Sequence, residues 1–174
     1  MSEEHNIAVI PGDLNGITVT NAAVKVSEAL TKLLTKPIKH TTFDYNADYF
    51  IKNDLTELGE KELSELKKYD QIFLGAIGDP TKIKPGVVEV GILLKLRQEF
   101  DQYVNLRPVV LPQGVASILV GKDYKDINFE ICRENSEGLY VGEGKIENEG
   151  TDEEAGIQIM KCTYKGVKRL AEYA

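Results

Sequence analysis

The stretch QIFLGAIGDP, residues 71–80, decides the fold. A short apolar run that stops at Gly-Asp-Pro reads as a buried strand running into its exit turn. Two similar runs precede it. IAVI, residues 7–10, ends at Pro11-Gly12, and PIKHTTFDY follows Lys36. Between the first two strands, apolar positions recur from Val19 through Ala22, Ala23, Val26, Ala29, Leu30 and Leu33, a helical stripe that Thr18 could cap. Between the second and third, Leu58 to Tyr69 is helical with Leu63 and Leu66 inward. Strand alternating with helix implies an α/β fold, a parallel sheet covered by helices.

Beyond that sheet, Pro85-Gly86 opens a helix through Leu93, Leu94 and Leu96 to Arg97. The pattern shifts after Tyr103. VNLRPVVL and INFEICRE read as strands of a second lobe, GLYVGEGKIENEG as an exposed arm, and IQIMKC as a returning strand. We therefore divide the chain into 1–100, part of a first α/β lobe, and 101–174, part of a second lobe with an arm over 138–150. A last helix from Tyr164 carries Val167, Leu170, Ala171 and Ala174 on one face and has no C-cap glycine, so it reads as interrupted.

Composition narrows the function. The 174 residues carry a net charge of −7 and no basic cluster, which argues against nucleic-acid binding. No run approaches the roughly 20 apolar residues of a membrane span, and MSEEHN lacks the apolar core of a signal peptide, so we expect a cytoplasmic protein without a membrane role. Cys132 and Cys162 lack CxxC spacing and read as reduced thiols. With only His5 and His40, a histidine metal site is not expected, and no metal-ligand residue is assigned.

The basic residues are 21, and only four are arginine: Arg97, Arg107, Arg133 and Arg169. Three of these stand in or beside apolar runs. An arginine fork grips a carboxylate through two parallel hydrogen bonds, which a lysine cannot do. On a helix, Arg97 would share a face with Leu93 and Leu94. The arrangement asks for a polycarboxylate ligand; the competing reading is three separate salt bridges to Glu99, Asp101 and Glu134. The turn PGDLNG has only Gly12 and Gly16, does not match a GxGxxG fingerprint, and by itself reads as a tight turn.

IAVIPGD, LGAIGDP, LLKLRQEFDQYVNLRPV and RENSEGLYVGEG occur in the order and spacing of the β-decarboxylating dehydrogenases, which include the isopropylmalate, isocitrate and tartrate/D-malate enzymes. The chain resembles the amino-terminal half of that family from Ile7 onward. LRxxxDxYxNLRP and RENxEGLY are the specific signatures. The resemblance implies that Arg97, Arg107 and Arg133 hold the carboxylates of a 2-hydroxy acid. It gives Tyr140 the catalytic role of protonating the enol after carbon dioxide leaves. Leu93 and Leu94 would face the substrate's variable group, and as an apolar pair they favour an isopropyl group over a third carboxylate. Asp13, Leu14, Asn15, Gly16 and Glu89 would lie against NAD.

The resemblance also implies Mg²⁺ or Mn²⁺, with the metal-holding aspartates, the acid–base lysine and the adenine-binding loop outside these residues. The EGLYVGEG arm would pair across a homodimer or with a complementary chain. Because the family builds its first lobe from both chain ends, unpaired edges and an uncovered apolar face are expected. One departure stands out: the family's first loop reads PGDGIGPEV, and here Leu14 replaces a glycine, which is strained if the backbone needs positive φ. The alternative is a degenerate short homologue that binds a ligand or partner without catalysis.

Overall fold

The computed structural model describes residues 4–174. The chain divides into two compact units, Met1–Glu99 and Phe100–Ala174.

The first unit is built on three parallel strands, β1 (His5–Ile10), β2 (Ile38–Thr42) and β3 (Gln71–Leu74), in the order β2-β1-β3. Only β1 is central, and its Ala8, Val9 and Ile10 are buried. The expectation of a buried third strand is corrected: β3 is an edge with Phe73 exposed, because no described strand flanks its outer side. α1 (Asn15–Thr31) joins β1 to β2. α2 (Ala47–Asn53) and α3 (Glu60–Leu66) join β2 to β3. Leu63 and Leu66 are buried as expected, whereas α2 was not anticipated. It starts where Asn46 accepts a hydrogen bond from the Tyr49 amide at 2.9 Å, an N-cap.

Packing of α1 also corrects the sequence reading. The face toward the sheet holds the small residues Gly16 and Thr20, both buried, with Ala23, Ser27 and Thr31 half-buried. The predicted stripe points outward, leaving Val19, Val26, Leu30 and Leu33 exposed. Close approach decides this: a Cβ on Gly75 would meet the Thr20 hydroxyl, so the helix lies too near the β3 exit for larger side chains there.

α3 is anchored by Glu62, which is 8% exposed. Its carboxylate accepts the Gly59 amide at 3.1 Å and the Tyr49 hydroxyl at 2.8 Å. Burial pushes the Glu62 carboxyl up, but these hydrogen bonds, with Lys61 nearby, bring it net below the ordinary range. Burial, reinforced by Tyr49 and Glu62, pushes the neighbouring Tyr45 hydroxyl up to about 12.

The helix expected from Gly86 to Arg97 is present but not uniform. Glu89–Leu94 is a π-helical turn, followed by α4 (Lys95–Glu99). Wider winding brings Gly91 against the 56–57 backbone, where its carbonyl accepts the Leu58 amide at 2.9 Å.

The second unit contains two antiparallel pairs, β4 (Val104–Val110) with β5 (Asn128–Glu134) and β6 (Gly144–Glu147) with β7 (Ala155–Gln158). The expected arm and returning strand are thus the two halves of one hairpin that extends past residue 150. Leu139–Val141 within the expected arm is a single 3-10 turn. α5 (Tyr164–Tyr173) follows, with Thr163 as its N-cap.

Candidate active site

In a parallel sheet of order β2-β1-β3 the chain leaves β1 toward β2, then crosses to the other side for β3. The loops after β1 and β3 therefore flank the switch point, where open α/β sheets place ligands. Four of the expected cofactor residues, Asp13 to Gly16, span the end of the first loop and the start of α1. The Asp13 amide donates to the Ala76 carbonyl at 2.8 Å, and its buried carboxylate accepts the Gly78 amide at 2.9 Å and the Ala47 amide at 3.0 Å. Gly16 is buried and has no room for a Cβ against Ala76. Asp13 and Gly16 thus hold the two loops together, while Leu14 and Asn15 are exposed at the rim.

Leu14 has φ 47 and ψ −117, and the Gly16 amide closes the turn on the Asp13 carbonyl at 2.7 Å. This is the first inner position of a type II′ turn, which glycine occupies without strain. Glu89 approaches the second loop: its carboxylate lies over Gly78, and it accepts the Gly86 amide at 3.0 Å. Asp13, Gly16 and Glu89 are therefore gathered around the Ala76–Gly78 segment, with Leu14 and Asn15 exposed beside them.

On the π turn and α4, Val88, Ile92 and Leu96 enter the core. Leu93, Leu94 and Arg97 lie half-buried off that line. Lys95 is held between Glu57 and Glu99, each at 3.2 Å, and hydrogen bonds first to Glu99 and then to Glu57 raise its pKa.

In the second unit the register of β4 and β5 sets the arginines. Arg107 stands opposite Ile131 and Arg133 opposite Asn105, so both arginines project from one face of the strand pair. Such diagonal neighbours lie roughly 7–8 Å apart, within reach of one dicarboxylate. The Arg107 Nε donates to Asn105 Oδ1 at 2.6 Å. The Arg133 guanidinium lies 5.3 Å from the Tyr140 ring centre, and its Nε is buried without a hydrogen-bond partner in the structure. Arg133 and Tyr140 border a cavity of about 540 Å³ whose far wall is the apolar face of α5, including Val167 and Leu170.

The acids named as salt-bridge partners in the competing reading make these contacts. Glu99 lies against Lys95. Asp101 receives Arg169 at 2.8 and 3.0 Å. Glu134 accepts the Ser136 hydroxyl at 2.7 Å and the amides of Ser136 and Glu137 at 2.9 and 2.5 Å. Glu137 in turn accepts the Thr163 hydroxyl at 2.6 Å and amide at 2.7 Å, which ties the Glu134–Tyr140 segment to the start of α5.

The match to the isocitrate/isopropylmalate dehydrogenase family model covers residues 6–174. The chain belongs to that family. It is 41% identical over its full length to 3-isopropylmalate dehydrogenase of Bifidobacterium longum, of which it covers 49%. It is also 38% identical to tartrate dehydrogenase/decarboxylase of Pseudomonas putida, over 97% of this chain and 46% of that protein. Among solved structures, isocitrate dehydrogenase from Methylococcus capsulatus matches 97% of this chain and 46% of its own, with a TM-score of 0.74 and 30% identity. The chain thus spans about half the length of the curated relatives it matches.

Family membership bears out the resemblance and the α/β fold expected from the sequence. Sequence reading passed over Asn105 and Asn135. The available signal was period-two spacing, which puts Asn105 beside Arg107 on one strand face.

Proposed function

We propose that the chain forms the amino-terminal portion of an NAD-dependent β-decarboxylating dehydrogenase acting on a 2-hydroxy polycarboxylic acid of the 3-isopropylmalate type. The observation that supports it most is the common face of Arg107 and Arg133, with Tyr140 stacked against the second. In this reading the two arginines bind the substrate carboxylates and fix its orientation, each through a planar fork. Tyr140 delivers its hydroxyl proton to the enol carbon left after decarboxylation. Arg97, Leu93 and Leu94 keep the substrate-binding role that the family motif gives them, and the leucines favour an isopropyl group.

NAD suits the rim formed by Leu14, Asn15 and Glu89, where it would accept a hydride from the hydroxyl-bearing carbon. The described residues contain no group of three or more His, Cys, Asp or Glu that could hold a metal ion; in this reading the aspartates that hold the family's divalent cation belong to the rest of the enzyme. A homodimer, or pairing with a complementary chain, and a cytoplasmic setting complete the proposal. No helix among the described residues is long and apolar enough to cross a membrane.

The test is Arg107→Lys in an enzyme that carries this chain as its amino-terminal half. We expect kcat/KM to fall by about tenfold or more, because a point charge does not replace a bidentate fork. Unchanged kinetics would remove Arg107 from the substrate site and the proposal with it.

A further inference from the structure

Behind Arg107 lies a chain of side-chain amides with one possible polarity. The Arg107 Nε–H can only donate, so Asn105 presents Oδ1 to it, at 2.6 Å. The Asn105 amide nitrogen then faces Asn135 Oδ1 at 3.3 Å. That leaves the Asn135 nitrogen to donate to the Gln102 carbonyl, at 3.0 Å. The relay therefore ends on backbone. Asn135 is only 5% exposed, and its own amide is fixed on the Tyr103 carbonyl at 3.0 Å. Flipping either asparagine would set donor against donor.

We infer that Asn105 and Asn135 are positioning residues that hold Arg107 by its Nε and turn the two terminal nitrogens of its fork toward the ligand. This deepens, and rests on, the reading of Arg107 as a carboxylate ligand. Arg107 is exposed, and an exposed arginine samples many rotamers. Fixing the Nε before ligand arrives removes part of that entropy from binding. An amide suits the task better than a carboxylate. Aspartate at 105 would also accept from Nε, but its charge would compete with the substrate for the same guanidinium.

Exchange of the arginine Nε–H protons, followed by NMR on the 174-residue chain, tests this. With only four arginines the signals are assigned by single Lys replacements. In the unliganded protein the Arg107 Nε–H should exchange about tenfold more slowly than in Asn105→Ala. Asn135→Ala, which does not touch Arg107, should also speed it. Asn105→Asp keeps the acceptor for Nε–H but cannot donate to Asn135 Oδ1, so its protection should fall between wild type and Asn105→Ala. Malate is the ligand probe: Asn105→Ala should bind it about fivefold more weakly than wild type, and Asn105→Asp more weakly still.

Equal Nε–H exchange in wild type, Asn105→Ala and Asn135→Ala, with β4–β5 amide signals intact, would overturn the inference. Should Ala at 105 disrupt the strand pair, Asn105→Asp decides: malate binding as tight as wild type would overturn it. If exchange follows the relay but no form binds malate, the relay stands and the substrate reading falls.

Discussion

Leu14 stands at φ 47 and ψ −117, where a Cβ crowds the neighbouring carbonyl and a glycine does not. Strain of this kind costs on the order of 1–3 kcal/mol. The side chain is 57% exposed, so replacing it forfeits little burial. Glycine would give back some of the gain through a freer unfolded chain. On balance Leu14→Gly should stabilise the protein by about 1 kcal/mol, read as a higher urea midpoint at unchanged m-value. A lower or unchanged midpoint would mean that Leu14 makes compensating contacts. The strain was legible as a condition, since leucine in a PGDxNG turn is unusual. The φ angle itself was not, because it depends on how Asp13 is pulled toward Ala76, Gly78 and Ala47. The arginines were visible as outliers among lysines. Their orienting asparagines were not, because polar residues on exposed strands are ordinary.

At the scale of elements, the parallel strand–helix order was legible, because apolar runs ending in Gly and Pro leave few alternatives. The face of α1 was not. Apolar periodicity assumes that the greasy stripe packs inward, but here close approach to the β3 exit selects Gly16 and Thr20. Nor did periodicity distinguish a π turn from an α turn at Glu89–Leu94. The junction before α5 shows how an element is held by chemistry that periodicity cannot see. Hydrogen bonds from the Thr163 hydroxyl and amide, with Arg169 and Lys161 nearby, hold the Glu137 carboxyl below its ordinary value of 4.5. A lowered carboxylate pKa contributes stability that is present above the unfolded value and lost as pH falls through the folded one. Glu137→Gln should therefore destabilise α5 at neutral pH. Its deficit against wild type should shrink as the medium is acidified below about 4.5, where wild type loses the same charge. Helical ellipticity during urea titration at neutral and acid pH checks this; a deficit independent of pH would mean that the charge contributes nothing.

The whole molecule leaves much apolar surface uncovered. Val26, Leu30 and Leu33 are exposed in the first unit; Phe129, Ile131 and Val167 are exposed in the second, where Ile118 and Val120 are almost wholly so. Full burial of a wholly exposed side chain of this kind contributes roughly 1.5–3 kcal/mol, and covering a half-exposed one about half of that. Surfaces of that kind mark places where further protein packs. The incomplete sheet and uncovered face were anticipated from the sequence through the family resemblance, and the exposed β3 edge and outward α1 stripe agree with it. We therefore expect the 174-residue chain, made alone, to bind the dye ANS strongly and to generate no NADH from any 2-hydroxy acid, with Mg²⁺ and NAD supplied. Arginines that grip carboxylates bind ground and transition states alike, and uniform binding does not lower the chemical barrier. The described residues also offer no cluster to hold a cation against the developing enolate charge. Strong turnover by a preparation that leaves ANS dark would show that this chain completes both its packing and its catalytic site unaided, and the proposal that it is one portion of a larger dehydrogenase would fall.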